Sequence, residues 1–481
     1  MPILRVFDYI IIGTKRNLHY LPSISACAAL QRINPCRIVP TCRHYDGTTS
    51  MTLGSGNGLS RRHLIKGAAA VAGTLTGSGA ITGFPTIWAQ NIKDVVLHHA
   101  GPPVTAIPAV AEQATKDLGF TVQMQASENA DLLNRFLSQS NAIDCADVSL
   151  VYLRYLTGRN VLQAIPLSKF KYWDKTIPLL TKGEYPDGRK APAQGITPMM
   201  VLYAAGPDGQ KVTAGTPTDY VTAIPTVING DTLGIRPDLV GRKVDSWADL
   251  LSPDFKGKAA LQDNPTIGII DVAMAMEARG DVKYGNKGDM TRAEIDKTIN
   301  TMLEVKRSGQ FRSFWTSFDQ SVNLMAAGET VIQSMWSPAV AAVRSRGIPC
   351  TFQPLKEGYR GWAYTMGVMK HVSGLKLDCF YEYLNWYTGG FEGAFIARQG
   401  YYSAQPENTK KYLSQAEWDY WFGGKPAQTD ILSPFGKLME KAGNVRDGGD
   451  IWTRLGNIAV WNSVMDEDRY LTRRWNEFIT S

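Results

Sequence analysis

The chain has 481 residues, of which 44% are hydrophobic and 20% are charged, and its formal net charge is +7. This composition is typical of a globular protein of two or three domains whose core needs no disulfide or metal. The excess of Lys and Arg lies entirely in residues 1–90, and acids and bases balance in the rest, so the basic pI does not indicate a nucleic-acid-binding surface.

The segment Ser60–Lys66 resembles a twin-arginine export signal, with Arg61 and Arg62 as the arginine pair. A run rich in Ala, Gly and Thr follows and ends at Ala89; it is too weakly apolar for a membrane span. We interpret 51–90 as the signal peptide. Residues 1–50 show no periodicity and are interpreted as a mis-called extension upstream of Met51. A periplasmic protein exported by the twin-arginine translocase is expected.

Strands and helices are predicted to alternate after residue 90. A short strand over 94–97 precedes a helix over 107–118 that ends at Gly119, and a strand over 120–124 precedes a helix over 132–137. A third strand over 145–151 completes a β-α-β-α-β unit with a parallel or mixed sheet. Helical spacing then recurs at 295–303, 322–326 and 338–346, with a strand over 331–335, and an aromatic helix pair is predicted over 380–398.

Three cysteines lie in this part of the chain, with no CxxC or Cys/His spacing: Cys145, Cys350 and Cys379. We interpret each as a buried structural residue. A single disulfide with one thiol left over is the alternative that the spacing leaves open.

The segment Asp245–Lys258 carries an S-W-x-D-L-x-x-P-x-F-K-G-K pattern that resembles family 1 extracellular solute-binding proteins of the spermidine/putrescine type. Four further stretches are similar in the same order: 224–229, 325–344, 356–362 and 391–406. The resemblance implies an α/β, two-lobed periplasmic-binding-protein fold (type II) with two crossover strands that form a hinge. It implies lobe 1 over 91–226 plus 359–481 and lobe 2 over 227–358.

The resemblance also implies a function. A substrate-binding protein of this kind captures a small solute between its lobes and delivers it to an ABC transporter permease in the inner membrane, without a cofactor or a metal. Trp336 and Trp362 match cleft tryptophans of the family, and alternation along the second crossover places Tyr364 on the same face as Trp362.

The acidic residues that polyamine binders carry do not match. Asn264, beside Asp263, and Tyr364 stand at such positions, so a solute with less positive charge than spermidine is expected. We also assign Ser149, Tyr152 and His99 to the ligand site. A metal held by His98 and His99 is a weaker interpretation, because adjacent residues of a strand point in opposite directions.

An exported enzyme is the alternative function. Residues 91–481 contain no GxSxG, HExxH, CxxCH or phosphate-loop motif and only three histidines: His98, His99 and His371. We therefore predict a binding protein and assign no catalytic residue.

Overall fold

The computed structural model describes residues 92–481, so Arg61, Arg62 and the predicted signal peptide lie outside it. The described strands are β1 Val96–Gly101, β2 Thr121–Ala126, β3 Cys145–Ser149, β4 Leu162–Gln163, β5 Ile165–Pro166, β6 Tyr220–Val221, β7 Ile224–Ile235, β8 Ala259–Gln262, β9 Phe311–Trp315, β10 Ile332–Met335, β11 Thr351–Gln353, β12 Tyr359–Met369, β13 Tyr402–Ser403, β14 Ile431–Leu432, β15 Leu438–Glu440 and β16 Ile458–Trp461.

The described α-helices are α1 Pro108–Leu118, α2 Asn129–Ser138, α3 Leu150–Thr157, α4 Pro178–Thr181, α5 Pro198–Val201, α6 Pro265–Arg279, α7 Arg292–Arg307, α8 Phe318–Ala326, α9 Ser337–Arg344, α10 Gly374–Tyr387, α11 Phe391–Arg398, α12 Pro406–Lys410, α13 Gln415–Trp421, α14 Ile451–Leu455 and α15 Asp468–Thr480. Among residues 92–481, no helix has the length and apolar character that crossing a membrane requires.

The predicted β-α-β-α-β unit is confirmed. β1 pairs in parallel with both β2 and β3, and α1 ends at Gly119, whose φ of 77° closes the helix. Several boundaries of this unit differ from the prediction by one to four residues. Residue 94 lies in a short 3₁₀ turn before β1, and β3 ends at Ser149 because Leu150 already begins α3.

One large mixed sheet runs through the described chain in the order β2-β1-β3-β12-β7-β10-β8-β9. The long strands β7 and β12 pair antiparallel at its centre. The first half of β7 pairs with β12, and its second half pairs with β10 and β11. β7 therefore passes from one half of the molecule to the other as a single continuous strand.

The family-like segment forms a local structural unit. Ser246 caps a 3₁₀ turn, and Trp247, Leu250 and Phe255 are buried in a hydrophobic core, as their apolar character predicts. The Trp247 indole N–H donates to the Gly358 carbonyl at 2.9 Å, and Glu357 accepts hydrogen bonds from Ser246 and Trp247. The pattern therefore stabilises the fold beside the second crossing and contributes nothing to a ligand site.

Two large hydrophobic clusters form the cores, and at least one helix from each predicted lobe packs into the other cluster, while the lobe boundaries stay a prediction. Val340 and Val343 of α9 pack into the first cluster, although 227–358 was assigned to the second lobe. Trp475 and Phe478 of α15 pack into the second cluster, although 359–481 was assigned to the first. The physical reason is that each amphipathic helix buries its apolar stripe against the nearest uncovered core.

Candidate functional site

One face of the paired central strands carries the residues that define the candidate site. In the β7–β12 register, Arg360 lies opposite Asp231, Trp362 opposite Asn229 and Tyr364 opposite Val227. Directly opposed residues of an antiparallel pair share a face, and alternate residues of one strand repeat it. On the other face, Gly361 lies opposite Gly230, where added Cβ atoms would collide with Ile458 and Tyr359. The face with Gly230 and Gly361 is thus closely packed, and the opposite face carries polar and aromatic groups.

Aromatic rings surround Trp362. Its ring centroid lies 5.4 Å from that of Tyr364 and 5.3 Å from that of Tyr401, both in edge-to-face geometry. Val227 and Ile396 complete this small cluster. The side-chain amide of Asn129 donates to the Tyr364 hydroxyl at 2.9 Å, and burial raises the pKa of that hydroxyl well above its ordinary value. The group can offer apolar faces and a neutral phenol to a ligand.

Ser149 and Tyr152 lie beside this aromatic group. Ser149 is paired with Tyr364 across β3 and β12, and it precedes the first turn of α3, on which Tyr152 lies. Tyr152 lies close enough to Tyr364 to contribute, after burial, to the raised pKa of the Tyr364 hydroxyl. The structure therefore brings together four of the eight predicted ligand residues: Ser149, Tyr152, Trp362 and Tyr364.

Asn229 is the polar residue at the centre of the face. Its side chain is fully buried, and neither its amide oxygen nor its amide nitrogen has a hydrogen-bond partner among residues 92–481. An unpaired buried amide costs about 1–3 kcal/mol, and native proteins rarely leave one without a reason. Asn229 can both donate to and accept from a polar molecule held against Trp362.

Next to Asn229, a buried ion network holds Asp231. The Arg360 guanidinium donates to Asp271 at 2.6 Å, to Asn462 at 2.7 Å and to Asp231 at 3.3 Å. Burial raises the pKa of Asp231 to about 6, although Arg360 and Trp362 act in the opposite direction. Arg360 is thus shared between Asp271 and Asp231, and one carboxylate oxygen of Asp231 has no hydrogen-bond partner among residues 92–481.

A second aromatic group lies in the other half of the molecule, around Trp336. Its ring centroid lies 5.0 Å from Trp315 in edge-to-face geometry, and Phe318 stacks against it at 6.4 Å. The backbone N–H of Asp263 donates to the Trp315 carbonyl at 2.8 Å. The structure therefore brings Trp336 and Asp263 together through Trp315.

The side chains of Asp263 and Asn264 already have partners within the protein. The Asp263 carboxylate accepts the indole N–H of Trp475 at 2.9 Å, and Asn264 caps α6 by accepting from Thr266. Both residues therefore have structural roles that the sequence alone did not indicate.

The two aromatic groups belong to segments that approach one another. A Cβ placed on Gly400 would lie 3.7 Å from Pro338 and 3.8 Å from the Ser337 hydroxyl. Gly400 precedes Tyr401 of the first group, and Ser337 follows Trp336 of the second. This approach connects the two halves at the edge of the candidate site.

His99 lies apart from both groups. Its side chain is fully buried; Nδ1 lies 2.7 Å from the Tyr383 hydroxyl, and Nε2 lies 2.9 Å from the Asp147 carboxylate. His99 thus packs against core residues, and its assignment to the ligand site stays a prediction that these contacts do not favour. His98 contacts a different carboxylate, Asp144, so the adjacent histidines do not converge on one point.

Three residues of the site were not predicted from the sequence: Asn129, Asn229 and Tyr401. Asn229 could have been predicted from the sequence, because it ends the predicted crossing segment and alternation places it opposite Trp362. Tyr401 also lies within a recognised stretch. The contact of Asn129 with Tyr364 spans 235 residues of sequence, and no local signal indicates it.

These features define a class: a two-lobed α/β protein whose halves are joined by continuous crossing strands, with aromatic and polar side chains at the crossing. A sequence model described as "Bacterial extracellular solute-binding protein" matches residues 109–392, more than half of the chain. The chain belongs to this family of extracellular solute-binding proteins.

Individual relatives agree with that assignment. The spermidine/putrescine-binding periplasmic proteins of Escherichia coli (strain K12) and of Shigella flexneri are each 23% identical over 267 residues, which is 54% of this chain. The match spans 64% of the length of these relatives, which is less than two thirds.

Solved structures show the same fold. A spermidine/putrescine ABC transporter substrate-binding protein from Streptococcus pneumoniae has a TM-score of 0.55 and 12% identity, over 80% of this chain and 97% of that one. The PBP AgtB from A. tumefaciens R10, in complex with agropinic acid, has a TM-score of 0.50 and 11% identity, over 80% and 99%. The predicted two-lobed periplasmic-binding-protein fold is confirmed.

Proposed function

We propose that this protein is the periplasmic substrate-binding component of an ABC importer, which captures a small polar solute and delivers it to a permease in the inner membrane. The observation that carries the proposal is the crossing-strand face, where the unpaired amide of Asn229 lies between aromatic rings and a buried carboxylate. Family membership supports it, because a polar group enclosed between two lobes is what solute capture requires.

We further propose that the solute carries less positive charge than a polyamine. Asp231 shares Arg360 with Asp271, Asp263 accepts the indole N–H of Trp475, and Tyr364 is a neutral phenol. Because Tyr364 supplies a neutral phenol where a polyamine binder of this type carries an acid, a polyamine closed into this site would lose at least one carboxylate partner, at a cost of several kcal/mol. The neighbour that holds agropinic acid supports this view, since the fold is not restricted to polyamines.

Two measurements test the ligand proposal. Native mass spectrometry of freshly purified protein should show a retained small molecule. A thermal-shift panel of polyamines, amino acids, sugars and quaternary amines should then show stabilisation by a neutral or weakly cationic solute. Tight binding of spermidine would contradict the charge argument. A solute that is chemically converted during incubation would favour the exported enzyme.

Export through the twin-arginine translocase is a separate proposal. It is supported by Arg61 and Arg62 in the segment 60–66 and by the extracellular character of the family. Replacing both arginines by lysine keeps the charge and removes the recognised pair, so the protein should accumulate in the cytoplasm. An unchanged periplasmic yield would show another route.

A further inference from the structure

A small cavity lies where α9, β11 and the segment after Gly400 meet. Its volume is about 10 Å³, enough for one water-sized particle. Ser337, Gly400, Tyr420, Arg446 and Arg454 are among the residues that line it. None of the residues assigned above to the ligand site lines the cavity.

The carboxylates around the cavity are already paired. Arg344 donates to Asp447 at 2.6 Å and also binds Glu440. Glu440 accepts a further hydrogen bond from Asn444 at 3.0 Å, and Asp447 accepts one from the backbone N–H of Phe352 at 2.9 Å. One arginine thus serves both acids that line the cavity.

Arg446 has no such carboxylate. It is 4% exposed, and among residues 92–481 no acidic oxygen lies within ion-pair distance of it. Its terminal nitrogens donate to the Gly400 carbonyl at 2.7 Å and to the Trp421 carbonyl, while the guanidinium carbon lies 4.3 Å from the centre of the Tyr402 ring. Nε has no partner in the described chain.

Arg454 also lacks a carboxylate partner among residues 92–481. It is 2% exposed, and one terminal nitrogen donates to the Asp447 carbonyl at 2.5 Å. Its guanidinium carbon lies 5.1 Å from the centre of the Phe352 ring. Nε and the other terminal nitrogen have no hydrogen-bond partner among the described residues, and the same holds for the Tyr420 hydroxyl.

The arginines and carboxylates that line the cavity therefore leave one positive charge in excess: Arg344, Arg446 and Arg454 stand against Glu440 and Asp447. Burial, together with the neighbouring charge of Arg454, lowers the pKa of Arg446 to about 10, yet the guanidinium remains protonated at neutral pH. Buried charges in proteins are normally paired, because an unpaired one costs several kcal/mol. A water molecule could occupy the space but would not supply the missing negative charge.

We propose that this cavity binds one small monovalent anion, a halide such as chloride, held by N–H groups of Arg446 and Arg454 and by the hydroxyl of Tyr420. The cavity has room for about one water-sized particle, so the inferred occupant is a single-atom anion. The charge excess of one matches a single halide.

Crystals grown with sodium bromide test the site directly. One anomalous peak is expected in contact with Arg446 and Arg454. In solution, the melting temperature should rise with sodium chloride, by about 2 °C for each tenfold increase above Kd, relative to sodium gluconate at equal ionic strength. Gluconate is too large to enter the cavity.

Paired variants assign the effect to the cavity. Arg454→Met should abolish both the bromide peak and the chloride-specific rise. Arg189→Met removes the same charge from an exposed arginine that is paired with Asp187, and it should retain both. The wild-type protein is sufficient to overturn the proposal, so the test does not depend on whether the variants fold. The overturning result is a cavity without a bromide peak together with equal melting temperatures in the two sodium salts. A peak that persists in Arg454→Met would also overturn it.

Discussion

At the scale of single residues, the site combines neutral groups with a buried carboxylate, Asp231, that shares Arg360 with Asp271. Trp362 contacts Tyr364 and Tyr401, and its strand partner Asn229 has an unpaired amide. Ligand affinity should therefore depend on apolar contact with the indole and on hydrogen bonds to the amide. Ion pairing should contribute less, because Arg360 competes with a ligand for Asp231.

Trp362→Ala should weaken binding of the solute that the panel identifies by about tenfold or more, because a desolvated aromatic contact contributes about 1–2 kcal/mol. The thermal shift at a fixed ligand concentration should fall accordingly. Trp452→Ala is the matched control, since Trp452 is an exposed tryptophan outside the site. Equal losses in both variants would exclude a specific role for Trp362.

Asp231 should make the protein less stable as pH rises, whereas a salt-bridged surface carboxylate makes a protein more stable as pH rises. Its pKa is raised from 3.8 to about 6 by burial, so the folded state holds the proton more tightly than the unfolded chain does. This contribution to stability is fully present below pH 4 and is lost as pH rises to 6, by up to about 3 kcal/mol.

Urea unfolding between pH 4 and 7 measures this dependence. Asp231→Asn should flatten the decline between pH 4 and 6, whereas Asp319→Asn, at an exposed position, should leave it unchanged. The same slope in Asp231→Asn and in the wild type would show that another group titrates.

At the scale of elements, helix packing depends on close approach at particular positions. Gly268 lies inside α6, where an added Cβ would be 2.5 Å from the Trp475 ring of α15 and 2.5 Å from the Gln262 carbonyl. The same Trp475 holds Asp263. This contact fixes the last helix of the chain against the second core.

Gly268→Ala should lower the free energy of unfolding by about 1–3 kcal/mol through overpacking, although alanine inside a helix normally adds about 1 kcal/mol. Gly285→Ala provides the comparison, since its nearest neighbour would be a side-chain atom at 3.9 Å, and it should change stability by less than about 0.5 kcal/mol. A more stable Gly268→Ala protein would disprove the close packing of α6 and α15.

Local patterns predicted the elements well, and long-range contacts account for most of what they could not predict. The periodicity at 107–118, 132–137 and 295–303 corresponds to α1, α2 and α7, because each helix buries one apolar stripe. His99 was assigned to the site because its position in the first strand is visible in the sequence. Its partners, Asp147 and Tyr383, are brought to it only by tertiary packing. Tertiary packing likewise brings Trp475 to Asp263.

At the scale of the whole molecule, the central strands set how the two halves can move. β7 pairs with β12 over its first half and with β10 and β11 over its second. In addition, the register shifts beside Tyr364, where Pro225 supplies no N–H to the ladder. A hinge at the crossing would bend this ribbon around the ligand.

Saturating ligand should therefore close the halves, and small-angle scattering should report a radius of gyration that falls by a few per cent from about 21 Å. Trp362→Ala at the same ligand concentration should show no such change. An unchanged radius in the fully bound wild-type protein would exclude hinge closure as the response to ligand.

The state of the cysteines has a practical consequence for labelling. Cys145, Cys350 and Cys379 are all free and buried, which confirms the structural interpretation and shows no disulfide among them. Burial raises the pKa of Cys350 to about 12 and that of Cys379 to about 11, so neither presents a thiolate to a maleimide at neutral pH. A single cysteine introduced at the exposed position Glu329 could thus carry a fluorophore while the native thiols of residues 92–481 are kept. The labelled protein would be a starting point for an optical sensor of its own solute.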